Sequence, residues 1–283
     1  MGKAAPPQKR IAKSSPPARG RCALVTGASS GIGAAFARRL AGDGFHLIIV
    51  ARRRSRLDAL ARRLRKEFGV DVDVLVADLT QPRELDLVER TLRRRSTVEL
   101  LANCAGFAGY MPFVEQPPDR AEALIRLHII ALTRLTRAAL PKMIARGRGA
   151  VINVSSALAF SASEAGSYLP NRAVYAGAKS YIATFTELLS HELQGSGVTV
   201  QALCPGMVRT EFHKVAGYDI SGVPIVMEPD DVVQASLAAL RLGDVICIPS
   251  LNRPSVASEF RRKRSRLFES GGSATLAPRY RGH

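Results

Sequence analysis

A glycine-rich turn between an apolar run and a helix-like stretch constrains this sequence more than any other feature. The run Cys22–Thr26 leads into T-G-A-S-S-G-I-G at positions 26–33. In such a turn Gly27 lets the chain leave a strand sharply, Gly31 lets the backbone approach a pyrophosphate, and Gly33 lets the helix pack closely on the sheet. The N–H groups that open the helix bind phosphate, whereas the alternative is a turn that binds nothing. The predicted phosphate-binding residues are Gly27, Ser29, Ser30, Gly31, Ile32 and Gly33.

Apolar runs alternate with helix-period segments through the body of the chain. The predicted strands are Cys22–Thr26, Phe45–Val50, Val72–Ala77, Val98–Ala102, Ala150–Val154, Val198–Leu203 and Val245–Ile248. The predicted helices are Gly31–Ala41, Arg56–Phe68, Arg83–Arg94, Arg120–Ala145, Val174–Leu193 and Asp230–Leu240. Most runs are apolar throughout, as in strands buried on both faces. The alternation predicts an α/β fold, a doubly wound (Rossmann) parallel sheet of about seven strands with helices on both faces.

The net charge of +17 lies mostly at the two ends of the 283-residue chain. Residues 1–21 hold +6 and residues 253–283 hold another +6, which leaves +5 for residues 22–252. The ends carry little periodic apolar pattern, so we predict a disordered basic arm over 1–21 and a partly disordered basic tail over 253–283. Residues 22–252 form the single predicted domain. Basic tails attract polyanions weakly, and without a recognition motif they predict no specific nucleic-acid partner.

The cysteines and the lengths of the apolar runs indicate where in the cell the protein is located. The four cysteines show no C-x-x-C spacing, and the longest apolar run, Leu47–Ala51, is too short to span a bilayer. Met1–Gly20 lacks the apolar segment of a secretory signal. We therefore expect a cytoplasmic protein with no metal site and no membrane partner.

The spacing of the glycines departs from G-x-G-x-x-G and resembles the variant found in the short-chain dehydrogenase/reductase family. The resemblance extends over about residues 22–250 and implies an oxidoreductase that uses a nicotinamide cofactor.

An NAD site would place an acid at the end of the second strand, but the sequence reads Ala51-Arg52-Arg53. A guanidinium pairs well with a 2′-phosphate, so NADP is favoured, with Arg52 the leading contact and Arg53 the second. The alternative is that these arginines simply begin an arginine-rich helix.

The ends of the third and fourth strands would face the adenosine. Asp78-Leu79 occupies the position that contacts the adenine ring in the family, although Asp78 also suits a helix N-cap. Asn103-Cys104-Ala105-Gly106 resembles the family pattern N-N-A-G. Cys104 departs from this pattern, and we interpret it as a small buried residue that fills space. The resemblance places Asn103, Ala105 and Gly106 beneath the ribose.

Tyr175 and Lys179 stand four positions apart and so share one helix face. A nearby ammonium and an oxidised nicotinamide would lower the pKa of a phenol, which is about 10 in free tyrosine. The resemblance implies that both residues are catalytic, that they contact the nicotinamide ribose, and that Ser156 holds the substrate oxygen. Ser155 is interpreted as a packing hydroxyl. Ser156 and Tyr175 are 19 positions apart, against about a dozen in the family, so Ser161–Pro170 predicts a longer loop over the cleft.

Two further segments resemble the family. His128 stands where the family usually has an asparagine that holds a water leading to the lysine. An imidazole can hold that water in an auxiliary proton relay, or it can be an ordinary helix histidine. Cys204-Pro205-Gly206-Met207-Val208-Arg209-Thr210 matches P-G-x-V-x-T, although Pro-Gly is also an ordinary turn. The resemblance places Pro205, Gly206, Val208 and Thr210 against the nicotinamide carboxamide.

These features together predict an NADP(H)-dependent enzyme that transfers hydride between the nicotinamide and a carbonyl or alcohol substrate. The cleft would lie among residues 107–118, 161–171 and 207–227, whose Phe107, Phe113, Tyr168, Leu169, Phe212, Tyr218 and Met227 favour an apolar or aromatic compound. The alternative is a non-catalytic NADP(H)-binding redox sensor or regulatory protein. The helices Arg120–Ala145 and Val174–Leu193 are apolar on more than one face, which predicts a homodimer or homotetramer paired through them.

Overall fold

The computed structural model describes residues 20–164, 169, 171–215, 217–218, 220, 222–223, 225–272 and 274–281. Residues 1–19 of the predicted arm and part of the predicted loop 161–170, including Tyr168, lie outside the described residues. The chain divides into two compact units between Pro249 and Ser250, and each is described by itself. The boundaries predicted at 21/22 and 252/253 stay predictions.

The first unit is built on a parallel sheet of seven strands, and two further short strands pair separately. The strands are β1 (Cys22–Thr26), β2 (His46–Ala51), β3 (Val72–Val76), β4 (Val98–Asn103), β5 (Gly149–Val154), β6 (Val198–Leu203), β7 (Met207–Val208), β8 (Val226–Met227) and β9 (Ile246–Cys247). The seven-stranded sheet has the order β3-β2-β1-β4-β5-β6-β9, and β7 pairs with β8. This order confirms the predicted doubly wound sheet. The strand order reverses between β1 and β4, and ligands of such sheets bind at that reversal, beyond the carboxyl ends of the strands.

Helices connect the strands. They are α1 (Gly31–Gly42), α2 (Arg54–Phe68), α3 (Pro82–Arg94), α4 (Pro118–Ile125), α5 (Leu132–Ala145), α6 (Ala173–Glu192), α7 (Glu211–Val215) and α8 (Pro229–Leu242) in the first unit, and α9 (Pro254–Ser270) in the second. The predicted helix Arg120–Ala145 is divided in the structure, because a π-helical segment, Arg126–Ala131, joins α4 to α5. Within the described residues, no helix is long and apolar enough to cross a membrane.

Each face of the sheet carries its own hydrophobic core, as β1 illustrates. Ala23 and Val25 join the cluster that includes residues of α1, α2 and α8. Cys22 and Leu24 join the cluster that includes residues of α3, α5 and α6. Successive side chains of a strand point to opposite faces, and here both faces are buried. This is why the strands read as unbroken apolar runs rather than alternating ones.

A buried polar network joins the sheet to the helices behind it. Asn103 Nδ2 donates to Asn153 Oδ1 at 2.9 Å, which ties the end of β4 to β5. Asn153 Nδ2 donates to Thr186 Oγ1 of α6 at 3.1 Å, and Asn103 Nδ2 lies 3.2 Å from Thr136 Oγ1 of α5. Buried polar groups without partners are costly, so this network selects one arrangement of β4, β5, α5 and α6.

The second unit contains a helix that the sequence analysis did not predict. Within the tail 253–283, which was predicted to be partly disordered, α9 occupies Pro254–Ser270. Pro254 suits the first helical turn, and the residues that follow include four arginines, a lysine and two glutamates, which favour helix. The prediction was based on the lack of a periodic apolar pattern, which does not measure this local preference.

Thr26 connects the end of β1 to the turn after β4, and its mutation tests this connection. Its Oγ1 accepts hydrogen bonds from the backbone N–H groups of Cys104 at 3.0 Å and Ala105 at 3.1 Å, and the residue is buried. Thr26→Val keeps the shape but leaves both amides without that acceptor. We expect a loss of about 2–4 kcal/mol in the free energy of unfolding, measured by urea denaturation. Thr199→Val is the control, because Thr199 is exposed and its Oγ1 makes one 3.4 Å bond to Gly149 O. Equal stability of the two variants would contradict this role of Thr26.

Candidate active site

The glycine-rich loop lies at the carboxyl end of β1, against the end of β4. Gly27 has φ +67°, and a Cβ on it would lie 2.8 Å from Ala105 Cα. A Cβ on Gly33 would lie 2.4 Å from Gly27 O, so α1 packs on the loop at a distance only glycine permits. Gly31 has φ +54° and faces the Thr210 side chain. The loop therefore has the backbone form that the sequence predicted, and α1 begins at Gly31 with no acid in its first turn. Its free N–H groups suit an anionic phosphate.

The two arginines after β2 point to different neighbours. Arg53 donates to Ser29 Oγ (Nη2, 2.9 Å) and Ser30 Oγ (Nη2, 2.7 Å) of the glycine-rich loop. Arg52 Nη1 lies 3.7 Å from Asp78 Oδ2, and its side chain is mostly exposed. The structure thus turns Arg53 toward the loop and Arg52 toward the predicted adenine position.

Asp78 forms a local turn rather than a helix N-cap. Its Oδ1 accepts from the Thr80 N–H at 3.0 Å and the Thr80 hydroxyl at 2.8 Å, whereas α3 is capped at Gln81. The neighbouring Leu79 is buried. On the fourth strand, Asn103 Oδ1 is buried, and among the described residues it has no hydrogen-bond partner. Such an atom at the ligand-binding edge is consistent with a polar ligand there.

Ser156, Tyr175 and Lys179 come together at the carboxyl end of β5, and all three are buried. Ser156 interacts with the Tyr175 hydroxyl and lowers its pKa, and Ser156 Oγ accepts from the Leu158 N–H at 3.1 Å. Lys179 Nζ lies 5.4 Å from the centre of the Tyr175 ring and donates to Val154 O at 2.8 Å. Ser155 Oγ donates to Lys179 O at 2.7 Å, which fixes α6 to β5.

Burial dominates the protonation of this group. It raises the pKa of Tyr175 well above its usual value; the neighbouring Tyr110 hydroxyl raises it further and the Ser156 hydroxyl lowers it. Burial also lowers the pKa of Lys179 to about 7. The sequence predicted that a nearby ammonium and an oxidised nicotinamide lower the tyrosine pKa, whereas burial among the described residues raises it. The reason is that Lys179 Nζ faces the Val154 carbonyl and that desolvation disfavours both charged forms.

His128 lies within the π-helical segment and is buried against the same tyrosine. Its ring meets the Tyr175 ring edge-on, with centroids 5.6 Å apart and planes at 89°. His128 Nε2 lies 2.9 Å from Phe107 O, and burial keeps the pKa of the imidazole well below its usual value. The neutral ring therefore donates through Nε2. A Cβ on Gly106 would lie 2.6 Å from His128 Cε1, so a glycine at 106 makes room for this histidine.

An aromatic wall, formed by Tyr110, Phe212 and Tyr218, surrounds the Tyr175 side chain. The ring centroids of Tyr110 and Phe212 lie 5.4 and 6.0 Å from that of Tyr175, and Tyr218 lies 6.1 Å from Tyr110. The Tyr110 hydroxyl also interacts with that of Tyr175, and burial raises the pKa of Tyr110 to about 12. Sequence reasoning missed Tyr110, although it follows the Asn103–Gly106 segment by four residues and lies within the predicted cleft range.

The remaining predicted residues lie at the same edge of the sheet. Pro205 and Val208 are buried, and Pro205 O accepts from the Ala157 N–H at 2.9 Å, which joins this turn to the Ser156 segment. Thr210 Oγ1 accepts from the Phe212 N–H at 3.3 Å. Burial raises the pKa of the Cys104 thiol, so that cysteine is a packing residue rather than a nucleophile.

The sheet, the phosphate loop and the buried hydroxyl–phenol–amine group define a dinucleotide-binding oxidoreductase. The chain belongs to the short-chain dehydrogenase family, whose model matches residues 21–219. It superposes on a short-chain dehydrogenase from Sphingobium yanoikuyae in complex with NADPH, with 40% identity and a TM-score of 0.87 over 92% of this chain and 100% of that one. A bulky-bulky ketone specific alcohol dehydrogenase from Comamonas testosteroni is 32% identical, with a TM-score of 0.84 over 94% of this chain and 100% of that one.

Curated relatives are similar to the same part of the chain. An uncharacterized oxidoreductase of Staphylococcus saprophyticus is 31% identical over 222 residues, which are 78% of this chain and 91% of that protein. The chain spans less than two thirds of several other relatives, including 57% of a human protein named inactive hydroxysteroid dehydrogenase-like protein 1, which is 31% identical over 68% of this chain.

The hydroxyl of Tyr175 is the most direct target for mutation. Tyr175→Phe removes the oxygen that is predicted to exchange a proton and leaves the ring in its aromatic surroundings. We expect kcat for ketone reduction to fall by at least about a hundredfold, as for the loss of a general acid, with the dissociation constant for NADPH nearly unchanged.

Tyr181→Phe removes a hydroxyl from the same helix, where it pairs with Thr133, and serves as the control. Near-normal turnover by the Tyr175 variant in a steady-state assay would contradict its assignment.

Proposed function

We propose that this protein is an NADP(H)-dependent oxidoreductase that interconverts ketones and secondary alcohols with bulky apolar or aromatic substituents. The observation that carries the proposal is the convergence of Ser156, Tyr175 and Lys179 at one buried site beside the glycine-rich loop. NADPH in the Sphingobium dehydrogenase supports the choice of cofactor.

The described residues fit such a cofactor. The glycine cradle and the helix N-terminus suit the pyrophosphate, and the arginines after β2 suit a 2′-phosphate. The residues proposed to hold the pyrophosphate and adenosine are Gly27, Ser29, Ser30, Gly31, Ile32, Gly33, Arg52, Arg53, Asp78, Leu79, Asn103, Ala105 and Gly106. Those proposed for the nicotinamide end are Tyr175, Lys179, Pro205, Gly206, Val208 and Thr210. When bound, the nicotinamide supplies the hydride in the reducing direction and accepts it in the oxidising one.

The proton chemistry belongs to Tyr175. Its raised pKa keeps the phenol protonated at neutral pH, which is the form that gives a proton to a ketone oxygen. Ser156 Oγ accepts from the Leu158 N–H, and its hydroxyl hydrogen is proposed to turn to the substrate oxygen. Oxidation of an alcohol needs the phenolate, and therefore should speed up as the pH rises.

Lys179 and His128 are the proposed route by which the phenol recovers its proton. Lys179 has a pKa near 7, so its amine gains and loses a proton readily at neutral pH. His128 is neutral and packs directly against the Tyr175 ring. In this proposal His128 has the auxiliary role that an asparagine usually has in the family.

The aromatic wall sets the proposed substrate class. Tyr110, Phe212 and Tyr218 offer apolar faces near the reacting phenol, and aromatic faces favour flat apolar substituents. The ketone specificity named for the Comamonas enzyme is consistent with this class.

The test is a panel of ketones that differ in the size of both substituents, assayed by NADPH consumption. We expect bulky aryl ketones to be reduced and acetone to be a poor substrate. The second candidate function is a non-catalytic NADP(H)-binding sensor or regulator; it is raised by the relative named inactive. NADPH binding without consumption across the panel would favour the sensor.

Cofactor selection is tested at the end of β2. Arg52→Asp replaces attraction of a 2′-phosphate by repulsion and adds a ribose acceptor. We expect the ratio of kcat/KM with NADPH to that with NADH to fall about tenfold or more, which is the value of one charge-assisted contact.

Arg53→Asp is measured alongside, because Arg53 faces the loop, and Arg62→Asp on the exposed face of α2 is the control. If only Arg53→Asp moves the ratio, then Arg53 is the selector and the ranking of the two arginines is reversed. If neither moves it, the arginines do not select the cofactor.

Assembly into a homodimer or homotetramer is also part of the proposal. Ile125, Ile130 and Leu188 expose large apolar side chains on α4, the π-helical segment and α6. Apolar patches of this kind mark subunit contacts. Light scattering at micromolar concentration should give twice or four times the 30.5 kDa chain mass. A monomer would contradict the assembly and leave the chemistry untouched.

A cytoplasmic location completes the proposal, and it is supported by four cysteines that remain thiols.

A further inference from the structure

Glu211 is an exposed residue whose carboxylate forms ion pairs with Arg53 and Arg56. It is the first residue of α7, far along the chain from β2. Its Oε2 accepts from Arg53 Nη1 at 2.9 Å, and its two oxygens lie 2.7 and 2.6 Å from Arg56 Nη1. These two arginines hold the pKa of Glu211 below its usual value, Arg56 first and Arg53 second. One carboxylate therefore occupies two guanidinium groups at the entrance to the phosphate loop.

The same arginines face the glycine-rich loop. Arg53 uses its remaining donors on the hydroxyls of Ser29 and Ser30, and Arg56 lines a cleft together with Ser29 and Ala28. A phosphate held by the loop serines and these arginines would need the positions that the Glu211 oxygens now take. A phosphate monoester carries nearly two charges at neutral pH against one for a carboxylate, so it is the stronger partner for the same guanidinium groups.

We propose that Glu211 is a displaceable competitor for Arg53 and Arg56, and that the 2′-phosphate of NADP(H) takes its place. This rests on the proposed function in one respect, the NADP preference. Arg56 and Glu211 then join the cofactor site, Arg56 as a phosphate contact and Glu211 as its competitor. The competitor weakens binding of the phosphate and speeds its release.

Displacement of Glu211 also removes one of the contacts that hold α7. The next residue, Phe212, packs against the Tyr175 ring with centroids 6.0 Å apart. Thr210 precedes Glu211, and its side chain packs against Gly31: a Cβ built on Gly31 would lie 3.0 Å from Thr210 Cγ2. Occupation of the arginines by phosphate is thereby linked to the mobility of the segment that forms one side of the aromatic wall.

The experiment uses fragments that separate the phosphate from the rest of the cofactor. The dissociation constants of 2′,5′-ADP and 5′-AMP are measured by calorimetry for the wild type, Glu211→Gln and Glu211→Ala. The control is Glu228→Gln, which removes a similarly exposed carboxylate paired with Arg209 Nε at 2.6 Å. We expect both Glu211 variants to bind 2′,5′-ADP about fivefold more tightly, with 5′-AMP unchanged and the control unchanged. Hydrogen exchange over 211–215 should speed up in the wild type on adding 2′,5′-ADP and not on adding 5′-AMP.

Three results would overturn the proposal. Unchanged binding of 2′,5′-ADP by the Glu211 variants would show that the carboxylate does not compete. Weaker binding would show that Glu211 orients the arginines for the phosphate. Equal binding of 2′,5′-ADP and 5′-AMP by the wild type would remove the 2′-phosphate site altogether, and with it the NADP preference, while turnover with NADH would still report on Tyr175 separately.

Discussion

The removal of Tyr175 and Lys179 from water is the constraint on which the proposed chemistry depends. Both side chains lie at the carboxyl end of β5, and burial shifts the phenol and the amine toward their neutral forms. A neutral phenol beside a serine hydroxyl is ready to donate a proton, and an amine with a pKa near neutrality is ready to replace it. The buried Asn103–Asn153 hydrogen bond holds the two strand ends on which this arrangement is built.

The rest of the fold brings the parts of a cofactor site to the same edge. The strand order reverses between β1 and β4, so the glycine-rich loop and the Asn103–Gly106 turn meet there, joined by Thr26. The turn after β6 reaches the loop from the other side, through Thr210 against Gly31 and Glu211 against the arginines. Phosphate recognition and the aromatic wall are thus connected by one short segment.

The sequence was sufficient to predict the sheet, because strands buried on both faces leave unbroken apolar runs. It was also sufficient to predict the glycine-rich loop, because the positive φ angles and close contacts of that loop admit only glycine. Residues whose role depends on distant neighbours were not predictable in this way. Tyr110 meets Tyr175 and Glu211 meets Arg53 only after folding, and the direction of the Tyr175 pKa depends on how completely its surroundings exclude water. The helix α9 was missed because the tail carries little periodic apolar pattern, and α9 buries no residue that would produce one.

The most direct test of this account is the protonation state of Tyr175. With six tyrosines in the chain, the ring carbons that carry the hydroxyls, labelled with ¹³C, give a simple NMR spectrum, and Tyr175→Phe identifies the signal. We predict that in the protein without cofactor this signal stays at the position of a neutral phenol to above about pH 10, because burial raises the pKa. Conversion to phenolate near neutral pH would contradict the account, since the residue would then rest as a base rather than as the acid for ketone reduction.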